Sequence, residues 1–537
     1  MSSSGSAVGA RPSAWEPLKQ PAFALLWTAT LVSNVGTWMH EVGAGWLMTT
    51  LAPNPAVVTL VQAATTLPVF CFALLAGALA DRLDKRRMLI GINLLLLAVV
   101  SLLTVLVWAG AMTPALLVAF SLAIGTGAAF MAPAWQSIVP QLVPREQLKP
   151  AIALNSMGVN ISRAIGPAIA GALIASIGLA APFAVNALSF LVILGALVMW
   201  RPPAHERHPP TGSLLSEMGT GLRHVRHNPA MLATAVRAAA FFVFASAYWA
   251  LMPLIARGAD AGGSTLYGAL MALIGAGAVT GAMLLPRLQR VASSDTTVWI
   301  GTAGSGAALL LLAVAQGPAV LLPAAFLGGL SWIPVLTSLN VSAQTALPNW
   351  VRARGLAVFL MVFAGSMAAG SIIWGQVAAA TSVSSALLIA AGGLALGLLA
   401  TRRLPVGQAE GFDNDPAAIW PEAPTVVGDV SDQRAMLTVT YRILPADVPA
   451  FLDRLTPVSH ERLRNGATSW HIHQSVEEPD LWVETFHVPS WAEHLEHHGR
   501  VSVRDMTLHA TLRKLHQGEA PPVVRHHIAP RRRPLIH

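Results

Sequence analysis

The chain has 537 residues, of which 54% are hydrophobic and 11% charged, with a mean hydropathy of +0.58. Such a composition excludes an ordinary soluble protein and indicates one that crosses a membrane many times. The formal charge of +8 does not indicate a nucleic-acid partner: residues 1–404 hold 21 Lys/Arg against nine Asp/Glu, and the cations gather at every second turn between apolar segments.

The first twenty residues carry Arg11 and Lys19 but no apolar core ending in a small-residue cleavage site, so residues 1–20 are expected to be a cytoplasmic tail. Twelve apolar segments follow, at roughly 22–50, 56–80, 88–109, 114–135, 150–177, 181–200, 230–255, 265–286, 297–315, 318–340, 354–379 and 383–401. Each is close to the length that crosses a hydrocarbon core of about 30 Å as a helix. Cys71, the single cysteine, lies inside the second segment and is expected to serve packing, with no disulfide framework or thiolate cluster available.

Cationic residues mark the even-numbered turns: Arg82, Lys85, Arg86 and Arg87; Arg145 and Lys149; Arg201, Arg207, Arg223 and Arg226; Arg287 and Arg290; Arg352 and Arg354. The odd-numbered turns hold only Arg257 and Asp260, and Arg402 and Arg403 follow the last segment. That asymmetry predicts both termini in the cytoplasm. The long Pro-containing turn at 201–229 divides the segments into bundles at 21–200 and 230–404.

The two halves echo one another. Gln136–Val143 (QSIVPQLV) is answered by Gln344–Val351 (QTALPNWV), and Gly77–Leu83 (GALADRL) by Gly281–Leu288 (GAMLLPRL), at nearly one offset. This predicts duplicated six-helix repeats, with the acid of the first copy lost in the second. Gly77–Arg87 (GALADRLDKRR) reads as a tight turn at the membrane surface: Gly77 would allow close helix approach, Asp81 would accept from a neighbouring helix end, and the cations would hold the turn in the cytoplasm.

Glu41 is the one carboxylate well inside a predicted membrane helix. At that depth a charge costs at least about 2.5–3.5 kcal/mol, so it must face a cavity, find a partner or take up a proton. His40 is a second titratable group beside it, although adjacent helix residues point about 100° apart. Arg163 lies in Asn160–Gly171 (NISRAIGPAIAG), where Gly166 and Gly171 permit close packing and Pro167 bends the helix. Arg163 is read either as a site for an anionic substrate group or Glu41, or as a structural lock. Arg237, two turns into the seventh segment, is expected to snorkel to the surface. No GxxxxGK[S/T] loop is present, which leaves an ion gradient as the energy source.

Residues 405–433, rich in Gly, Pro and acids, read as a solvated linker. Beyond it, alternation at 435–443, 469–476, 482–488 and 523–528 and helical periodicity at 448–463 and 491–515 predict a βαββαβ ferredoxin-like domain over 434–530, ending in a basic tail at 531–537. It is histidine-rich: His494, His497 and His498 share a helix face, and His471 and His473 a strand face. A transition-metal site and a solvated face are both open readings, and the acids around the helical cluster favour the solvated face. No metal and no cofactor is assigned.

The turn Gly77, Leu79, Asp81, Arg82, Lys85 and Arg86 resembles the signature between helices 2 and 3 of the major facilitator superfamily, with Asp84 where that family prefers Gly. Gly166, Pro167 and Gly171 resemble its antiporter motif on helix 5, with Ser162 and Ala170 in place of glycines. The stretch Trp482–Ser502 (WVETFHVPSWAEHLEHHGRVS) resembles the C-terminal domain of the superfamily's transmembrane secretion effector branch, which includes enterobactin exporters. The resemblance implies an all-α polytopic fold of twelve transmembrane helices with a small α+β domain attached. It also implies an inner-membrane secondary transporter exporting a small organic molecule against protons, a conformational gate at Gly77, Asp81, Arg82, Lys85 and Arg86, and a homodimer through the C-terminal domain. The alternative is a transporter fused to an active monooxygenase-like or metal-dependent enzyme domain.

Overall fold

A computed structural model describes residues 15–201, 214–260, 263–348, 350–407, 430–498 and 501–530. Within them the side chains of Asp81, His497 and His498 are not described, and the expectations for those three, for Arg207, for most of the linker and for both tails lie outside the described residues.

All twelve apolar segments are helices. The first half comprises α1 (Pro21–Leu51), α2 (Pro55–Arg82), α3 (Lys85–Trp108), α4 (Pro114–Ile138), α5 (Leu148–Ser176) and α6 (Ala181–Met199). After α7 (Leu214–Arg226), the second half comprises α8 (Pro229–Gly258), α9 (Ser264–Val291), α10 (Ser294–Val314), α11 (Pro318–Thr345), α12 (Arg352–Ala380) and α13 (Val383–Ala400). Eleven of these are long and apolar enough to cross a membrane; α1, 31 residues long, falls outside that set and carries Asn34, His40 and Glu41. The chain falls into two compact units: Met1–Thr211 with Arg237–Leu339 and Leu360–Leu404, and Gly212–Val236 with Asn340–Phe359 and Pro405–His537.

In the first unit α1 packs on α5 and α6, α2 on α4, and α5 on α9, which joins the two halves. Many helices begin on a capping or N1 residue that the sequence supplies: Asn54, Asp84 and Thr113 accept from the first-turn amides of α2, α3 and α4, and Pro55 and Pro114 start α2 and α4.

The stretch expected as a tight turn is mostly helix. Gly77–Arg82 forms the last turns of α2, the turn itself is only Leu83–Asp84, and Lys85 opens α3. A Cβ on Gly77 would meet nothing within 4 Å, so this glycine does not serve helix approach; its counterpart Gly281 does, with Leu330 O 2.6 Å from a Cβ there. Asp84, the departure from the family pattern, caps α3 through the Arg87 N–H at 2.9 Å. Arg86 donates to the carbonyls of Leu197 and Val198, both at 2.8 Å, and so closes the end of α6. Arg237 reaches back to the cation-rich end of the helices but is not exposed there: it is buried, ion-paired with Asp295 at the start of α10, and donates to Leu404 O at 3.3 Å.

The second unit contains α7, absent from the sequence reading, whose Gly221, His224 and Val225 are buried while Leu222 and Arg226 face out. It also holds the βαββαβ domain: β1 (Ala435–Arg442), α14 (Val448–Asn465), β2 (Ser469–Gln474), β3 (Leu481–Val488), α15 (Trp491–His498), α16 (Val503–Arg513) and β4 (Val523–Ile528). The sheet order is β2-β3-β1-β4, antiparallel throughout, with Leu437 opposite Phe486 and His526. The single helix expected over 491–515 is two, because Ser502 and Asp505 form a capping box that starts α16 afresh. Alternate β1 residues Ala435, Leu437, Val439 and Tyr441 enter a core with Phe451, Leu455, Val458, Trp482 and Phe486.

Charge is buried in that core. Glu484 on β3 is fully enclosed and accepts from Arg462 Nε at 3.2 Å, Tyr441 Oη at 2.9 Å and Trp470 Nε1 at 3.0 Å. Burial opposes the Arg462 charge, but Glu484 and Glu461 outweigh it and raise its pKa; burial first and Glu484 second push the Tyr441 phenol well above its ordinary value. His494 contradicts a solvated helix face: it is buried, with its ring 4.9 Å from both Trp491 and His526. His471 and His473 do stack on the exposed edge strand, 6.1 Å apart.

Two outcomes follow from this core. Glu484→Ala strips Arg462, Tyr441 and Trp470 of a shared acceptor, and its expected cost, read as a lowered unfolding free energy for the domain, is about 3–5 kcal/mol. Burial, and secondarily His527, lower the pKa of His526, so the folded domain binds fewer protons there than the unfolded chain. Stability therefore rises with pH up to the ordinary imidazole value of about 6.5 and is lost as pH falls below it. Amide hydrogen exchange of Val523–Ile528 should accelerate between about pH 7 and pH 5.5 beyond its intrinsic trend, and His526→Phe should remove the excess.

Candidate functional site

Glu41 lies on α1 with Trp38 one turn before it and Trp46 beyond it. Its side chain is accessible at the protein surface and within electrostatic reach of Arg163 on α5 and Tyr267 on α9. Glu41 therefore lies where α1 and α5 of the first half meet α9 of the second. Among the described residues it makes no direct hydrogen bond or ion pair.

Arg163 takes a different route to stability. Its guanidinium lies over the Trp38 ring, 5.1 Å from the centroid, and its Nε is buried without a partner. Cation–π attraction offsets part of the desolvation and leaves the N–H fork unclaimed. Tyr267 is buried and stacks on Trp46 at 6.1 Å. The site thus offers one carboxylate, one unpaired guanidinium and three aromatic rings, Trp38, Trp46 and Tyr267.

The structure brings Glu41 and Arg163 together and leaves His40 out: His40 is buried edge-on against Phe183 of α6, 5.0 Å away. The rings of Trp38, Trp46 and Tyr267 were not anticipated. Spacing from Glu41 along α1 could have suggested Trp38, whereas Tyr267 comes from the other half and carries no local signal.

The helix 5 glycines act at interfaces. A Cβ at Gly166 would sit 2.7 Å from Trp38 Cβ and 2.9 Å from Val35 O, so Gly166 holds α5 against the turn of α1 that presents Trp38 and Glu41. Gly171 meets Gly268 of α9 backbone to backbone, and Gly275 of α9 meets Ala164 beside Arg163. The two halves also touch where Gly45 abuts Tyr267 and Pro253, and where Gly375 abuts Thr59. These contacts lie toward the charge-poor end of the helices, away from the Arg82–Arg87 end. A separate small hollow in the second half is lined by Tyr248, Ser305 and Trp332 among others. Its Tyr248 and Ser305 hydroxyls are satisfied by the carbonyls of Ala325 and Gly301, at 2.7 and 2.9 Å.

Residues 12–534 match the family described as transmembrane secretion effector. The chain belongs to that family. It is a multi-pass membrane transporter of the major facilitator type, and its relatives include proteins named for transport, efflux and export. The enterobactin exporter of Shigella boydii is 27% identical over 71% of this chain and 91% of its own length. The staphyloferrin A transporter of Staphylococcus aureus is 24% identical over 51% of this chain and 70% of its own. Macrolide efflux protein A of Streptococcus pyogenes is 27% identical over 43% of this chain and 58% of its own length. Among solved structures, an inward-facing bacterial homolog of the lysosomal transporter Spinster aligns with TM-score 0.52 at 17% identity, covering 72% of this chain and 95% of that one. A POT family transporter aligns with TM-score 0.59 at 12% identity, covering 71% and 96%. At these identities the structures establish the fold.

The glycine interface has a direct test. In Gly268→Val the new Cβ would lie 2.7 Å from Pro167 O and 2.9 Å from Gly171 Cα, backbone that cannot give way. The thermal midpoint in detergent should fall by the equivalent of about 1–3 kcal/mol. Gly306→Ala, where a Cβ meets nothing within 4 Å, should leave it unchanged.

Proposed function

We propose that the protein is a secondary exporter of the inner membrane, moving a small organic molecule outward against protons. The observation that carries this reading is Glu41: a membrane-depth carboxylate where α1 and α5 meet α9 of the other half, electrostatically coupled to a guanidinium without a direct bond to it. With protonated Glu41 the Arg163 charge is free for an anionic group of the substrate; with ionised Glu41 the two charges satisfy each other. Proton and substrate thereby compete for one electrostatic balance. Trp38, Trp46 and Tyr267 supply flat apolar surface suited to conjugated or aromatic bodies, in a cavity otherwise permissive about shape. The names of the macrolide efflux and enterobactin exporter relatives support the same direction.

The cationic turns put the Arg82–Arg87 end and both termini in the cytoplasm. Contacts between the halves toward the charge-poor end support reading this as the state open to the cytoplasm. Asp81, with Gly77, Arg82, Lys85 and Arg86, is the gate of the opposite closure; Arg86 ties α3 to the end of α6, and the neighbouring Asp84 caps α3. The domain limits are 21–200, 230–404 and 434–530, joined by 201–229 and 405–433. The C-terminal domain is a pairing or regulatory module: its core charges are enclosed by one another, an arrangement that supports a structural role over a fused enzyme.

Glu41→Gln fixes the site in its uncharged form. It should express and fold normally yet lose acceleration of efflux by a proton gradient in membrane vesicles, while substrate binding persists. Undiminished proton dependence would place the coupling site elsewhere.

A further inference from the structure

Arg257 is the only Lys or Arg associated with the odd-numbered turns, on the side that the other cations avoid. It stands in the last turn of α8, and its guanidinium reaches across to the other half. Nη1 donates to Thr49 O at 2.5 Å and to Thr49 Oγ1 at 3.1 Å. Thr49 is itself in the last turn of α1, fully buried, with its hydroxyl also bonded to Trp46 O at 2.7 Å.

Both helices end here, and a helix C-terminus carries a partial negative charge and unsatisfied carbonyls. Two like ends brought together repel unless a cation lies between them. Arg257 satisfies an orphan carbonyl of α1 while it neutralises the end of α8. Just inside this contact, Gly45 of α1 rests on Pro253 and Tyr267, which puts the guanidinium next to the floor under Glu41.

We infer that Arg257 is a positioning residue of the transport cycle: the latch that holds the α1 and α8 ends together, seals the charge-poor face beneath the substrate cavity, and must let go of Thr49 when the cavity opens to that face. This assignment rests on the orientation given under Proposed function.

The test uses the full-length protein with Cys71→Ser and one reporter. Thr59→Cys is nearly isosteric and sits fully buried in the same seal, against Gly375. A membrane-impermeant maleimide applied to intact cells should label it slowly with Arg257 present and about fivefold faster in Arg257→Ala, the shift expected for loss of a helix-end charge, with Arg257→Lys returning the slow rate. A merely structural loss would not be reversed by a lysine that keeps the charge but not the fork. Equal labelling in the Arg257 and Arg257→Ala proteins overturns the latch; Arg257→Gln gives the same reading where the alanine variant fails to reach the membrane. Leu83→Cys, on the exposed α2–α3 turn, reports orientation separately. Labelled only in inverted vesicles, it upholds the orientation; labelled in intact cells, it overturns that reading, and the Thr59→Cys comparison in inverted vesicles then decides the latch.

Discussion

A charge held at membrane depth has to be answered by water, a counter-charge or a proton, and Glu41 forces the rest of the arrangement around it. It cannot face lipid, so α1 must turn that side toward the interior, and the other half must leave space opposite. Arg163 answers the charge without touching it. Its guanidinium is steadied by the Trp38 ring, which Gly166 allows α5 to approach. A direct ion pair would be more stable and chemically inert. Separation by a small distance keeps both groups responsive to a proton or an anion.

The same demand recurs at the helix ends, and the two halves meet it by different means. In the first half, Arg86 on α3 bonds the terminal carbonyls of α6. In the second, Arg237 on α8 pairs with Asp295 of α10 and bonds Leu404 just past α13. Each half thus ties the third helix of its repeat to the sixth with one arginine, drawn from different helices.

Much of the fold was legible because the bilayer allows few solutions: long apolar runs must be helices, and cationic turns reveal their side. The βαββαβ order was legible from a period of two alternating with one of about 3.6. What local periodicity cannot carry was missed. Helix α7 is short and amphipathic inside a turn judged by its prolines, and the break before α16 rests on the Ser502–Asp505 pair. Arg237 and His494 were placed at surfaces because their partners, Asp295 and His526, are distant in sequence. Glu41 and Arg163 stood out by rarity alone, yet nothing in the sequence fixed their relation or turned His40 away toward Phe183.

Glycine explains how one closure can be both firm and reversible. Gly171 against Gly268, Gly45 against Pro253 and Gly375 against Thr59 bring backbones and small groups together with little side-chain interlocking. Such surfaces gain dispersion contact in the membrane, where no hydrophobic force drives helices together, and they part without the unpacking of large side chains. A seal built only this way has no preferred state. The polar contact between α8 and α1 supplies the bias, since a bond to an otherwise unsatisfied carbonyl is worth most when the alternative is no partner at all. The energetic weight of the closed face therefore rests on very few polar atoms, and a substrate or proton bound a few turns away needs only modest differential affinity to shift it.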